Sequence, residues 1–128
     1  MNVLITNGIK VSVVSQYQPS FSNPKESEYF FSYKIEIENQ SEYTVQLISR
    51  YWCIEDSTTE TREVKGLGVV GVQPILNPGQ TYRYSSGCPL NTEIGRMFGT
   101  FYMIREIDGE GFEVNVPDFL MVTPSRLN

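Results

Sequence analysis

Apolar residues in this chain recur mostly at every second position, and turn-forming residues interrupt them at short intervals. The clearest case covers residues 29–38. There Tyr29, Phe31, Tyr33, Ile35 and Ile37 alternate with Phe30, Ser32, Lys34, Glu36 and Glu38. Such a strand has one buried and one wet face, as in an antiparallel sheet. Ile9, Val11 and Val13 repeat the pattern, as do Met97, Gly99, Phe101 and Met103, and then Phe112, Val114 and Val116. In residues 47–54, Ile48, Arg50, Trp52 and Ile54 share one face and Leu47, Ser49, Tyr51 and Cys53 the other. Neither face is cleanly polar, so both are expected to be partly covered.

Turn signals divide these strands. Residues 19–28, with two prolines among serines and an asparagine, read as a loop. A strand at 59–70 is expected to pair back on 44–56 after a short polar turn. Pro78 and Gly79 fit a type II turn, and Asp108-Gly109 fits a hairpin. No window has the 3.6-residue spacing of a long amphipathic helix, although 89–95 allows one short turn. The expected fold is all-β: an antiparallel β-sandwich of seven to nine strands. It forms a single domain over 1–128, with its core at about 9–122 and a frayed tail at 123–128.

Charge and composition narrow the function. The 128 residues carry a net charge of −5, against the clustered basic footprint that nucleic acid requires. With no histidine, the commonest general base and metal ligand is missing, along with every Ser-His or Cys-His arrangement. Cys53 and Cys88 make neither a disulfide framework nor a zinc site, and they read as half-buried thiols of a reducing compartment. The first residues lack a basic start and a long apolar core, and no apolar run approaches a membrane span. The expected location is cytoplasmic, with no membrane insertion.

One motif suggests chemistry. Gly66, Gly68 and Gly71 form G-x-G-x-x-G, with Val69 and Val70 inside it. A dinucleotide fingerprint needs a helix immediately afterwards, whose N-terminus meets the pyrophosphate. Here Pro74 and Pro78 follow, which forbids that helix. Two readings remain. The glycines serve a bulge or a close backbone approach, or successive amides form an anion-binding nest to which Arg50, Lys65 and Arg83 add charge.

The segments 45–52, 64–87, 95–103 and 112–121 resemble the bacterial ApaG proteins, most specifically over 50–99, where Gly-Val-Val-Gly-Val-Gln-Pro-Ile-Leu-Asn-Pro-Gly runs without a gap. The resemblance implies a fibronectin type III-like (immunoglobulin-like) sandwich. It also implies a module that recurs beside F-box proteins and in a polymerase-interacting protein, and an association with cobalt and magnesium homeostasis. The turn at 55–60 lacks the glycine often found there in the family.

The remaining candidates have both bland and functional readings. Glu106, Asp108, Glu110 and Glu113 straddle a turn and read as surface charge or a hydrated-ion site. Trp52 is a core anchor or a partner-binding residue. Arg50 on a partly buried face needs a carboxylate, a carbonyl or a ligand. Ile75 and Leu76 cap the core or anchor a partner. The expectation is a non-enzymatic protein-binding module without cofactor, monomeric or homodimeric, whose partner the sequence does not identify. The alternative is a small anionic ligand (phosphate, pyrophosphate or metal–phosphate) at residues 66–71.

Overall fold

The computed structural model describes residues 1–58 and 60–126. In chain order the strands are β1 (Asn2–Thr6), β2 (Ile9–Tyr17), β3 (Tyr29–Asn39), β4 (Val45–Asp56), β5 (Thr61–Leu67), β6 (Ile75–Leu76), β7 (Thr81–Leu90), β8 (Ile94–Arg105) and β9 (Gly111–Val122). They form two antiparallel sheets. One has the order β1-β2-β3-β7; the other has β5-β4-β8-β9, with β6 also on β4. Short 3-10 turns occupy Pro19–Phe21, Pro24–Glu26 and Pro124–Arg126.

The period-two pattern becomes the core. Ile9, Val11, Val13, Phe31, Ile35 and Ile37 point inward from the first sheet. Met97, Phe101, Met103, Val114, Phe119 and Met121 meet them from the second. Trp52 is 2% exposed. Its ring lies edge-on to Phe101 and Phe119, at 6.0 and 6.3 Å between centroids, and 5.8 Å from Tyr33. Burying an aromatic side chain of this kind contributes about 3 kcal/mol.

Two bulges change the facing that simple alternation assigns. The β4–β8 register slips between Leu47 and Ser49. One extra residue lets Val45 and Leu47 share the interior with Trp52 and Ile54. Leu47 therefore leaves the face that alternation gave it beside Tyr51. A second slip, opposite Phe98, puts Pro117 at an irregularity of β9, where its missing N–H is tolerated. It allows Val116 and Phe119 to point inward together.

Both ends of the chain are more structured than expected. β1 was not anticipated, although Asn7-Gly8 is a hairpin signal; both residues have positive φ, 51° and 77°. At the other end, Thr123 is 2% exposed and its N–H bonds the Glu93 carbonyl at 3.0 Å, so the frayed tail does not begin at 123. Residues 127–128 of that tail, and position 59 of the polar turn, lie outside the described residues. The segment at 89–95 is not helical: Pro89 and Leu90 end β7, Ile94 and Gly95 begin β8, and bends at 91–93 join them.

The two sides of the sandwich differ. On one, β1 and β2 lie against β9 and side chains cap its backbone. Asn2 Nδ2 donates to Asp118 O at 2.5 Å, Asn7 Nδ2 to Glu113 O at 3.1 Å and Ser15 Oγ to Leu120 O at 3.0 Å. The Asn115 N–H bonds Thr6 Oγ1 at 3.3 Å. On the other side, β5 and β7 flank an opening spanned by Arg62, whose Nη2 donates to Pro89 O at 2.5 Å.

Candidate functional site at the β5 edge

The glycine motif forms the end of β5 and a tight turn. Gly66 pairs with Arg50 in the β4–β5 ladder. The Gly68 N–H bonds Ile48 O at 2.8 Å, and Val69 and Val72 exchange backbone bonds at 2.8 and 3.0 Å. Between the latter two, Val70 and Gly71 have φ of 48° and 76°, the two-residue hairpin geometry with both central residues left-handed. The amides of Gly68 and Val69 are therefore committed to the backbone. The groups this segment turns toward Arg50 are acceptors: Arg50 Nη1 donates to Leu67 O at 3.1 Å and to Gly68 O at 2.9 Å.

Gly66 leaves room for the Arg50 side chain to cross it. A Cβ built there would stand 2.9 Å from Arg50 Nη1 and 3.0 Å from Nη2. The guanidinium from β4 thus lies across Gly66 and reaches the carbonyl of Leu67. This is the partner that a half-buried arginine demands.

The other predicted residues separate. Lys65 is on the opposite face of β5, with Nζ 5.3 Å from the Tyr51 ring centroid. Arg83 is in the first sheet, paired with Glu36 at 3.0 Å. Trp52 belongs to the core cluster. Ile75 and Leu76 split the two roles assigned to them: Leu76 is 4% exposed and packs in the core, while Ile75 is 54% exposed.

What brings residues together is the edge position of β5. Just beyond its ends, Gly68 N–H bonds Ile48 O and Asp56 N–H bonds Glu60 O. In an antiparallel ladder bonded pairs alternate with non-bonded ones, so these two bonds assign Arg62, Val64 and Gly66 to the bonded pairs with β4. The N–H groups of Thr61, Glu63 and Lys65 then point out of the sheet, away from β4. Nearly all of β5 is exposed, including Val64 and Leu67. Beside it, the outer face carries Tyr51, Thr100 and Tyr102 in a shallow concavity with Glu63, Lys65 and Leu67.

Behind the edge, the inner face of β5 opens on a cleft of about 180 Å³ toward β7. Arg50 and Arg62 line it with Tyr33, Trp52, Ser86 and Cys88. Among the described residues, no carboxylate lines it. Burial pushes the Tyr33 phenol above its ordinary range, opposed by the Ser86 hydroxyl. Burial also pushes the Cys88 thiol up, against the pull of the Arg62 charge. Both Cys53 and Cys88 are free and buried. The Tyr84 hydroxyl is buried without a hydrogen-bond partner.

Two carboxylates of the acidic turn share one arginine. Arg105 Nη2 bonds Asp108 Oδ2 at 2.6 Å and also Glu110 Oε2. The Glu110 N–H and the Arg105 guanidinium hold the Asp108 carboxyl below its usual range. Among the described residues, no group of three or more Cys, Asp and Glu converges to hold a metal ion.

Comparison with known proteins places this geometry in a family. The sequence pattern described as the ApaG domain matches residues 19–105. The chain is 45% identical over 120 residues to Protein ApaG of Dechloromonas aromatica, covering 94% of each. It is 47% identical over 122 residues to Protein ApaG of Brucella canis, covering 95% of this chain and 93% of that one. It superposes on the putative ApaA protein from Bordetella pertussis with a TM-score of 0.88 at 46% identity, covering 91% of this chain and 94% of that one. A protein from Archaeoglobus fulgidus, at 10% identity and a TM-score of 0.53, shares the fold alone.

Proposed function

The chain belongs to the ApaG family, and from that premise we propose that it is a non-catalytic module that binds a partner protein by adding an extended strand of the partner to β5. The observation that carries this reading is the contrast between the sandwich's two sides. The backbone of β9 is capped by Asn2, Asn7 and Ser15, whereas β5 leaves a row of backbone groups directed outward. Unpaired edges of this length are templates for another strand unless they are blocked. No proline interrupts β5. Tyr51 and Tyr102 beside it are of the residue type enriched at interfaces.

The association with cobalt and magnesium rests on family resemblance. It is read here as the consequence of binding a protein that handles those ions. Among the described residues no helix is long and apolar enough to cross a membrane. The alternative, an anion held by amides at 66–71, is not favoured: Gly68 and Val69 use their N–H groups internally, and Arg50 is met there by carbonyls.

The test is selection of extended peptides from a displayed random library, with the native chain and Glu63→Pro as targets. The Glu63 N–H points away from β4, so proline removes an edge donor without breaking a ladder bond. Binders that shift the amide resonances of Thr61, Glu63 and Lys65, and that Glu63→Pro abolishes, are expected. Binders indifferent to that change would remove the edge from consideration.

A further inference from the structure

Ion pairing is unevenly distributed. Arg83, Arg96, Arg105 and Arg126 each contact a carboxylate. Among the described residues, Arg50 and Arg62 contact none within ion-pair distance, and both line the cleft behind β5. Asp56 is near enough to feel the Arg62 charge without bridging it. Two guanidiniums line one cleft with no carboxylate among the described residues in ion-pair contact, on a chain of net charge −5; Asp56 and Glu60 share a neighbouring concavity with Arg62 and offset part of its charge.

The ladder shows where that charge is offered. Arg62, Val64 and Gly66 pair with Ile54, Trp52 and Arg50 and share the inner face with Trp52. Arg62 projects from β5 itself. Arg50 comes from β4 but reaches across Gly66, where no side chain intervenes, to the carbonyl of Leu67. The two charges therefore flank Val64 along the inner side of the edge. A strand added to β5 bonds through Thr61, Glu63 and Lys65, so its residue opposite Val64 sits in a non-bonded pair and points to the same inner face. In such a pair the Cβ atoms stand about 5 Å apart.

We propose that the strand captured by β5 carries an acidic residue opposite Val64, and that its carboxylate enters the cleft between the guanidiniums of Arg50 and Arg62. This rests on the edge-addition reading and adds the chemistry of the partner. A carboxylate suits the site because a guanidinium offers planar paired donors to it. Only Nη1 of Arg50 is engaged by the Leu67 and Gly68 carbonyls, and Arg62 bonds Pro89 O and Cys88 Sγ through Nη2. Trp52, Val64 and Met97 line the same cleft and give it an apolar wall beside the pair.

The experiment uses the peptides selected on the full chain. The expected result is Asp or Glu at one fixed position of the recovered strands. Replacing that residue by Asn or Gln is expected to weaken binding by about tenfold, as is Arg62→Met in the protein. Arg62→Met and the carboxamide peptide together should be no worse than either alone, which a merely structural role of Arg62 would not produce. Arg50→Lys, which keeps the charge but loses the fork, is the second variant in case Arg62→Met does not fold; it should lower affinity for the acidic strand more than for its carboxamide form. Strands blocked by Glu63→Pro but with no acidic preference would overturn this inference and leave the edge reading standing. Failure to recover any strand sensitive to Glu63→Pro would remove both.

Discussion

Replacing Tyr84 by phenylalanine should stabilise the protein. The Tyr84 hydroxyl is buried and makes no hydrogen bond. Leaving such a group unsatisfied costs about 1–3 kcal/mol, because hydration is lost and nothing replaces it. Phenylalanine retains the ring, whose centroid lies 6.2 Å from that of Tyr82, and removes only the oxygen. At the low end of that range, to allow for a small void, the gain is about 1 kcal/mol. For a domain of this size that corresponds to a rise in Tm of about 4 °C. A second signature lies at alkaline pH. Burial, then the neighbouring Tyr33, raise the Tyr84 pKa above its ordinary value of 10.0. A raised folded-state pKa means that its contribution is intact below pH 10 or so and is lost as pH rises beyond that, when only the unfolded chain ionises. One such group gives a slope of about 1.4 kcal/mol per pH unit. Tyr84→Phe should remove that slope, while Tyr33, also raised by burial, retains its own. The assay is urea unfolding of both proteins at pH 7 and in steps above pH 10. A loss of stability of 1 kcal/mol or more at pH 7, or an unchanged alkaline slope, would refute the reasoning.

Three further outcomes follow from the same geometry. Val70 is 60% exposed with φ of 48°, a conformation that costs a β-branched residue, so Val70→Asn should raise stability by about 1 kcal/mol in thermal unfolding. Gly66→Ala places a methyl group against the Arg50 guanidinium and should displace it from the Leu67 and Gly68 carbonyls at a cost of no more than about 1 kcal/mol; circular dichroism melts measure the cost and arginine side-chain resonances the displacement. Asp108 has a lowered carboxyl pKa, held first by the Glu110 N–H and then by Arg105, so its contribution is present above about pH 4 and is lost as pH falls below that; Asp108→Asn should flatten the acid limb of Tm against pH.

Much of the sandwich is local information. The alternation at 29–38 is written in side-chain polarity, and β3 buries Phe31, Tyr33, Ile35 and Ile37 as that pattern requires. Pro78-Gly79 and Asp108-Gly109 specify their turns because few residues adopt positive φ cheaply. Asn7-Gly8 carries the same signal, and β1 follows from it. The exclusion of a dinucleotide fold was equally legible, since Pro74 and Pro78 forbid the helix that it needs.

The tertiary structure decided what alternation could not. A bulge is one residue in a partner's register, and only pairing with β8 shows that Leu47 and Trp52 face the same way. Whether a strand lies at an edge depends on sheet order, a property of the whole topology; nothing in Thr-Arg-Glu-Val-Lys-Gly-Leu marks β5 as unpaired. Arg50, Lys65 and Arg83 are near the glycines or share their charge in sequence, but pleating and sheet assignment send them to three different surfaces. Only Arg50 meets the glycine segment on the inner face, and Arg62 joins it there because residues of like parity on paired strands share a side. Period two sets which face a side chain takes, and folding decides which faces meet.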